Sequence, residues 1–279
     1  MKRDKDKIRK KIEALINLPT LPGVVNNIIH TMGKDVTSAE DIGKMISVDQ
    51  VLSAKVLRLV NSAFYGFPGR ISSVTYAIVL LGFDVVKGMV LGASVFEIMM
   101  AQGMIDLWRH SLGCAMTAGI IARKIKQPEP EVVTCAGLLH DLGKVVLKVE
   151  LPKISEKINK KVQKEKISVY QAEDEVLGFT HATIGLWLCE RWNLSKDLSD
   201  PVSYHHKPSL AKHAYRQTAI IHLADILVKA KGYGSGGDSL VPMIDKKAWK
   251  SLKIKPKLLE EIINDMTEAL DNADDSVFL

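Results

Sequence analysis

Apolar residues recur at helical spacing along most of the chain, and this pattern constrains the fold more than any other feature of the sequence. Ile8, Ile12 and Ile16 form one stripe, and the segments Val85 to Ala101 and Ile220 to Leu227 continue the same periodicity. Strict alternation of apolar and polar residues between hairpin turns, which is typical of half-buried strands, does not occur. The sequence therefore predicts an all-α protein.

The composition agrees with this class. Hydrophobic residues make up 47% and charged residues 25%, which is enough for a well-formed core, while aromatic residues are scarce at 6%. The most apolar stretch, Val85 to Ala101, is interrupted by Lys87 and Glu97, which disfavours a membrane span. The N-terminal sequence MKRDKDKIRKK lacks the apolar region that a signal peptide needs. We therefore expect a cytoplasmic protein without a membrane span.

The three cysteines, Cys114, Cys135 and Cys189, are widely separated, and none belongs to a CxxC pair. An odd number of isolated cysteines is typical of reduced thiols in the cytosol. We expect these residues in or near the core and expect no zinc–thiolate site.

The formal net charge is +6, and much of it lies in two lysine-rich segments. One is the N-terminus from Lys2 to Lys11, and the other runs from Lys153 to Lys166. A solvated helix face explains the second run, and attraction of an anionic ligand is the alternative. Aromatic residues do not interleave with the lysines, so the pattern disfavours nucleic acid as a partner.

Some helix ends follow from capping patterns. Thr37 to Glu40 has the pattern of a capping box, in which a hydroxyl caps a helix and a carboxylate follows three residues later. Ser73 is expected to begin a helix that ends at Gly82, and Asp84 to cap the next helix.

Five of the eight histidines form a series with two aspartates in apolar helical segments. Imidazole and carboxylate ligands together favour borderline divalent metals such as iron, manganese or zinc. An unpaired carboxylate in an apolar setting is costly, and a metal ion would compensate it. We therefore expect two divalent metal ions, bound by His110, His140, Asp141, His181, His205, His206 and Asp225.

Asp141 is the expected bridge between the two ions. On one helix, the side chains of His140 and Asp141 would diverge by about 100°, so each could face a different ion. Two cations flanking a hydroxide promote in-line attack on phosphorus. Lys144 could hold a substrate phosphate, or it could be a surface lysine at a helix end. Asp141 and Lys144 are thus candidate catalytic residues, and Asp106, one turn before His110, could orient that ligand.

A structural interpretation of the same residues stays open. Buried histidines and aspartates can satisfy one another by hydrogen bonds inside a helical core without a metal. His30, His213 and His222 are expected to be core residues of this kind, although His222 lies one turn before Asp225 and could support the site.

The series resembles the HD superfamily of metal-dependent phosphohydrolases. His110, His140-Asp141 and Asp225 match its ligand pattern, and Leu138-Leu-His-Asp-Leu-Gly-Lys144 matches its signature. His181 and His205-His206 match the additional histidines of the HD-GYP branch, whose enzymes hydrolyse cyclic di-GMP. The Gly-Tyr-Pro tripeptide of that branch is missing, because Lys-Pro-Ser-Leu follows His206.

The first half of the chain resembles the HDOD domain, the HD-related output domain of bacterial signalling proteins. The similarity covers roughly residues 14–230 and implies an HD-type helical bundle. It implies an N-terminal helical lobe, residues 1–103, and an HD-like metal-binding lobe with the C-terminal helices, residues 104–279. The matching motifs are Leu18-Pro-Thr-Leu-Pro22, Ile46-Ser-Val-Asp49, Asn61-Ser-Ala-Phe-Tyr-Gly66 and Ala77-Ile-Val-Leu-Leu-Gly82.

The resemblance implies a role in signal transduction and leaves two alternatives for the chemistry. The complete ligand series favours a phosphohydrolase or phosphodiesterase that acts on a nucleotide. The HDOD resemblance and the missing Gly-Tyr-Pro favour a non-catalytic module that binds a signalling protein partner or a nucleotide, with a structural or sensory metal. The metal, the substrate and the oligomeric state stay open.

Overall fold

The structure is a computed structural model that describes residue 10 and residues 23–32, 38–62 and 70–273. Apart from one 3-10 turn, Pro208–Leu210, every regular element in these residues is an α-helix. This confirms the predicted all-α class. The prolines of Leu18 to Pro22, the segment from Phe64 to Phe67, and nearly all of the N-terminal lysine segment lie outside the described residues.

The first five helices precede the segment that carries the histidine series. They are α1 (Gly23–Met32), α2 (Ala39–Val48), α3 (Gln50–Val60), α4 (Val74–Leu81) and α5 (Phe83–Ala101).

The helices that follow include those that carry the histidine series. They are α6 (Ile105–Lys124), α7 (Pro130–Leu139), α8 (Leu142–Glu150), α9 (Pro152–Glu165), α10 (Val169–Leu177), α11 (His181–Arg191), α12 (Lys196–Tyr204), α13 (Tyr215–Lys231), α14 (Lys246–Leu252) and α15 (Pro256–Asp271).

Short polar residues cap the early helices, largely as expected. Ser73 caps α4, and Gly82 ends it with a φ of 82°. The capping box of α2 uses Ser38, whose hydroxyl accepts from the Asp41 amide at 3.1 Å, so it lies one residue later than predicted. The prediction for Asp84 was wrong: Gly82 is the N-cap of α5, and Asp84 lies in the first helical turn.

Helix α5 connects the first helices to the rest of the molecule. It packs against α1, α3 and α4, and it also packs against α7. The rings of Phe96 on α5 and Trp108 on α6 meet edge to face at 4.8 Å. The buried residues form one continuous core across these contacts. The expected division at residue 103 falls at a turn. Its role as a domain boundary stays a prediction.

The lysine-rich run is the outer face of α9. Ile158 and Val162 bury the inner side, while the intervening lysines are largely exposed. Lys160 pairs with Glu156 at 2.6 Å, and Lys161 pairs with Glu175 at 2.7 Å. The structure therefore agrees with the solvated helix face. In the part of the chain that the structure describes, no helix has the length and hydropathy needed to cross a membrane.

Candidate metal centre

Helix α6 brings His110 into the interior, where its side chain is 1% exposed. Its Nε2 atom lies 3.1 Å from Oδ1 of Asp225 on α13 and 3.6 Å from Oδ2 of Asp141. Cys114, one turn further along α6, places its Sγ atom 3.8 Å from the same nitrogen. Side chains from α6 and α13, together with Asp141, therefore meet near Nε2 of His110.

His140 and Asp141 lie at the junction between α7 and α8, not on one continuous helix as predicted. The helical hydrogen-bond pattern breaks there, and the Lys144 amide donates to the Asp141 carbonyl at 2.9 Å. Nδ1 of His140 lies 2.7 Å from the Gly137 carbonyl oxygen and is therefore its donor. This contact leaves Nε2 of His140 directed into the site.

Helix α8 packs tightly against the start of α11 at Gly143. A Cβ atom at this position would lie 2.0 Å from the carbonyl oxygen of His181, so no larger residue fits. The close approach brings Nε2 of His181 to 3.3 Å from Oδ1 of Asp141.

Glu173 on α10, which the sequence analysis missed, holds His181 in this position. Its Oε2 atom accepts from the His181 backbone amide at 2.8 Å and lies 2.6 Å from Nδ1 of the same residue. The Glu173 side chain is buried, at 1% exposed. A buried carboxylate on the second nitrogen of a histidine is the usual support for a metal-binding imidazole.

His205 and His206 follow directly after α12. Nε2 of His206 lies 3.0 Å from Nε2 of His181, and Nε2 of His205 lies 3.9 Å from Oδ1 of Asp141. Nδ1 of His205 contacts the Val202 carbonyl oxygen at 3.0 Å, which leaves its Nε2 for the site.

His222 supports the backbone of His205. Its Nε2 accepts from the Asp245 amide at 2.9 Å, so its Nδ1 carries the proton that is donated to the His205 carbonyl at 2.7 Å. The supporting role considered for His222 therefore fits, although it acts on His205 and not on Asp225. His213, predicted to be a core residue, is exposed because it lies in the turn before α13. The side chain of His30 lies outside the described residues.

The two oxygens of Asp141 face two different groups of side chains. Oδ2 lies 3.4 Å from Nε2 of His140 and 3.6 Å from Nε2 of His110, while Oδ1 faces His181 and His205. All seven candidate ligands thus converge on one region of the structure. Asp106 does not join them: it is exposed, and its carboxylate does not contact His110.

The donor atoms fit divalent ions. Nε2 of His140, Nε2 of His205 and Oδ1 of Asp141 are fully buried and have no hydrogen-bond partner. Such atoms are costly unless something else satisfies them. Ligand atoms within 4.8 Å of one another form three overlapping groups: His110, Cys114, His140 and Asp225; His140, Asp141 and His205; and His181, His205 and His206.

The charged groups of the site keep the carboxylates of Asp141 and Asp225 ionised. Burial alone would raise the pKa of Asp141, but Lys144 and His140 outweigh it and hold this pKa well below its ordinary value. Burial likewise opposes ionisation of Asp225, and His110 outweighs it, so this pKa is also lowered. Burial lowers the pKa values of His205 and His206, which favours the neutral imidazoles that metal ions require.

The three cysteines differ in their surroundings. Burial raises the pKa of the Cys135 and Cys189 thiols to about 12. Burial also opposes ionisation of Cys114, but His110 and His140 outweigh it and lower the pKa of this thiol. Cys114 is therefore a buried residue, as predicted, that also belongs to the site.

Lys144 lies at the edge of the site. Its Nζ atom is 2.6 Å from Oδ2 of Asp141, and its side chain is 10% exposed. A cavity of about 450 Å³ opens beside it, and its lining includes Lys144, Tyr170, His181, His206 and Lys229.

The glycine-rich loop 232–237 covers the outer side of the site. The Ser235 amide donates to the Asp106 carbonyl at 2.8 Å, which fixes the loop to the first turn of α6. A Cβ atom at Gly236 would lie 3.2 Å from Nζ of Lys144 and 3.5 Å from Nε2 of His110.

Several known proteins are similar to this chain. A protein of unknown function with an HDOD domain from Geobacter sulfurreducens is 26% identical, with a TM-score of 0.66 over 91% of this chain and 92% of that chain. A candidate signal transduction protein from Marinobacter aquaeolei VT8 is 23% identical, with a TM-score of 0.70 over 96% of this chain and 63% of that chain. A candidate metal-dependent phosphohydrolase from Shewanella amazonensis SB2B is 16% identical, with a TM-score of 0.62 over 99% and 98% of the two chains.

An uncharacterized protein from Treponema pallidum (strain Nichols) is 24% identical over 205 residues, which are 72% of this chain and 40% of that protein. The chain thus spans less than half the length of this curated relative. The HDOD domain family matches residues 18–208, which is most of the chain. With the helical fold and the converging His and Asp residues, this match shows that the chain belongs to the HDOD family.

Proposed function

We propose that this protein is a metal-dependent phosphohydrolase of bacterial signal transduction that holds two divalent ions and acts on a nucleotide. The observation that carries the proposal is the position of Asp141, whose two oxygens are directed at two separate groups of histidines. A carboxylate in this position can bind two cations at once, and the buried donor atoms without partners have the chemistry that iron, manganese or zinc requires.

The residues divide into two groups that would each hold one ion. His110, His140 and Asp225 form the first group, and His181, His205 and His206 form the second, with Asp141 between them. Two bound divalent cations would lower the pKa of a water molecule and neutralise charge on a phosphoryl group.

Lys144 is the residue of this chain that we assign to substrate phosphate. Its ammonium group lies beside Asp141 and lines the cavity of about 450 Å³, so a phosphate in this cavity would accept a hydrogen bond from it. The ring of Tyr170 lines the same cavity and offers an apolar face to the rest of a nucleotide.

The descriptions of two similar proteins agree with this proposal. The Marinobacter protein is named as a candidate signal transduction protein, and the Shewanella protein as a candidate metal-dependent phosphohydrolase. Because both are less than 25% identical to this chain, they support the fold, and the proposed chemistry depends on the site geometry.

The proposal can be tested by metal analysis followed by a substrate screen. The purified protein should bind two equivalents of iron or manganese, and the loaded protein should hydrolyse at least one phosphomonoester, phosphodiester or cyclic dinucleotide. Asp141→Ala should lose both the metal and the activity, while His206→Ala should retain more metal. A fully loaded wild-type protein that hydrolyses none of these substrates would contradict the proposed catalysis.

Lys144→Ala separates the phosphate contact from metal binding. We expect turnover to fall by about a hundredfold, the usual effect of removing one group that stabilises developing charge. The metal content should not fall, because the Lys144 ammonium group is not itself a metal ligand. Lys164→Ala, which removes an exposed lysine of α9, is the control. Equal loss of metal and activity in Lys144→Ala would show that its role was misassigned.

One observation favours a second function, a non-catalytic module that binds a partner protein or a nucleotide. The Lys144 ammonium already compensates the Asp141 carboxylate at 2.6 Å, so the site keeps its charge balance partly without metal. In this case, titration calorimetry should detect nucleotide or partner binding without turnover, and Asp141→Ala should leave that binding intact.

A further inference from the structure

Cys114 lies in the position that an additional metal ligand beside His110, His140 and Asp225 would occupy. It follows His110 by one turn on the same face of α6, and its side chain is completely buried. Its Sγ atom lies 3.8 Å from Nε2 of His110. The ligand atoms of Cys114, His110, His140 and Asp225 all lie within 4.8 Å of one another, which is close enough to surround a single ion.

The imidazole of His140 provides an independent observation. Nε2 of His140 is fully buried, has no hydrogen-bond partner and is directed into the same space. Its Nδ1 is already used by the Gly137 carbonyl. A buried nitrogen without a partner, beside a thiol and a carboxylate, indicates a cation at the point where they meet.

The other two cysteines do not share these surroundings. The Cys135 thiol donates to the Val85 carbonyl at 3.8 Å and packs against α5 at Gly88. Cys189 is buried in the core on α11. Neither belongs to a group of candidate ligand atoms among the described residues, so they are matched controls for Cys114.

We propose that Cys114 is a thiolate ligand of the ion held by His110, His140 and Asp225. This inference rests on the metal centre of the proposed function. It gives the two ions of that centre different sets of ligands. When the sulfur–metal bond forms, the thiol proton passes to solvent, and no electron is transferred.

The additional ligand gives the two positions different properties. With the bridging Asp141 counted, five protein ligands would surround the first ion and four would surround the second. Catalytic sites keep a coordination position free for water or substrate. On the second side, His181 and His206 line the cavity of about 450 Å³. The first ion is therefore enclosed by protein, and the second faces the space that a substrate would enter. A sulfur ligand also makes the first position select zinc or iron over manganese and magnesium.

Cobalt is the probe for this inference. Wild-type protein loaded with Co²⁺ should show the near-ultraviolet sulfur-to-cobalt charge-transfer band, with an intensity that saturates at one equivalent. Cys114→Ser should lose this band and keep the visible absorption of Co²⁺ bound by the remaining ligands. Cys135→Ser and Cys189→Ser should keep both signals.

A measurement on the wild type does not depend on whether the variants fold. X-ray absorption at the zinc edge of protein loaded with one equivalent of zinc should show a sulfur neighbour at about 2.3 Å. Bound metal without a sulfur neighbour, or a charge-transfer band that persists in Cys114→Ser, overturns the inference and leaves the proposed function intact. A protein that binds no cobalt or zinc overturns both.

Discussion

The carboxylate of Glu173 fixes both the backbone and the ring of His181, and its position has a measurable consequence. Supporting carboxylates orient a metal-binding imidazole and increase its basicity, and their loss costs roughly 10- to 100-fold in metal affinity. We expect Glu173→Gln to weaken zinc binding by this factor, because a neutral amide cannot reproduce the contact at 2.6 Å. Chelator competition would measure the change.

Glu175→Gln is the matched control for this experiment. Glu175 lies on the same helix, but it is exposed and pairs with Lys161 outside the site. The same substitution there should leave zinc affinity unchanged. If the two variants bind zinc equally well, Glu173 has no positioning role.

The protonation of His110 predicts how metal binding depends on pH. Burial opposes protonation, but Cys114 and Asp225 outweigh it and raise the pKa of His110 to about 9. A metal ion binds only the neutral imidazole, so below this pH the proton must leave first. Metal affinity should therefore rise between pH 7 and pH 8.5, by about tenfold per pH unit for each proton released. An affinity that stays constant over this range would contradict the raised pKa.

Sequence reasoning identified the residues that converge on the candidate centre and missed the residues that support them. The seven His and Asp residues stand out because polar groups interrupt apolar helical segments, and such groups are costly without partners. Glu173 gave no comparable signal, since it lies among the polar residues Gln171, Asp174 and Glu175 of an amphipathic helix. Cys114 could have been found, because its spacing of four from His110 places both residues on one helical face.

At the scale of elements, Asp238 joins the segment after α13 to the start of α10. Its Oδ2 atom accepts from the Val169 amide at 2.9 Å, and its Oδ1 atom pairs with Nζ of Lys229 at 3.2 Å. The Lys229 side chain is only 8% exposed, so removal of its partner leaves a buried charge without compensation.

We expect Asp238→Ala to lower the free energy of unfolding by about 3 kcal/mol, as is usual for a broken buried ion pair. Lys231 and Asp271 form a similar but exposed pair from the same helix α13. Asp271→Ala should therefore cost less than about 1 kcal/mol. Urea unfolding of the two variants would measure both values, and equal values would show that Asp238 does not anchor this segment.

The helix break at His140 and Asp141 shows what periodicity cannot predict. The sequence analysis places His140 and Asp141 on one helix, whereas the structure places them between the end of α7 and the start of α8. The break depends on tertiary contacts, above all the approach of Gly143 to the His181 backbone, which lies far away in the sequence. The path of the glycine-rich loop across the site depends on similar long-range contacts with Asp106 and Lys144.

For the whole molecule, the candidate ligands come from helices spread between α6 and α13, so bound metal should stabilise the folded state. Ions that bind only the folded protein add about 2.7 kcal/mol when their concentration is a hundred times the dissociation constant. Chelation should therefore lower the Tm of the wild type. Asp141→Ala should show no such response, and thermal unfolding followed by circular dichroism would test both. An identical Tm with and without chelator would contradict the metal centre.

The spread of ligands from His110 to Asp225 also affects the order of events during synthesis. The last carboxylate lies on α13, so a growing chain cannot complete the site until this helix has left the ribosome. Under the proposed function, the ions would be captured only once this helix is available, from the pool that the surrounding solution offers at that moment. The metal that the mature protein carries would then depend on ion availability at the time of folding, as well as on ligand chemistry.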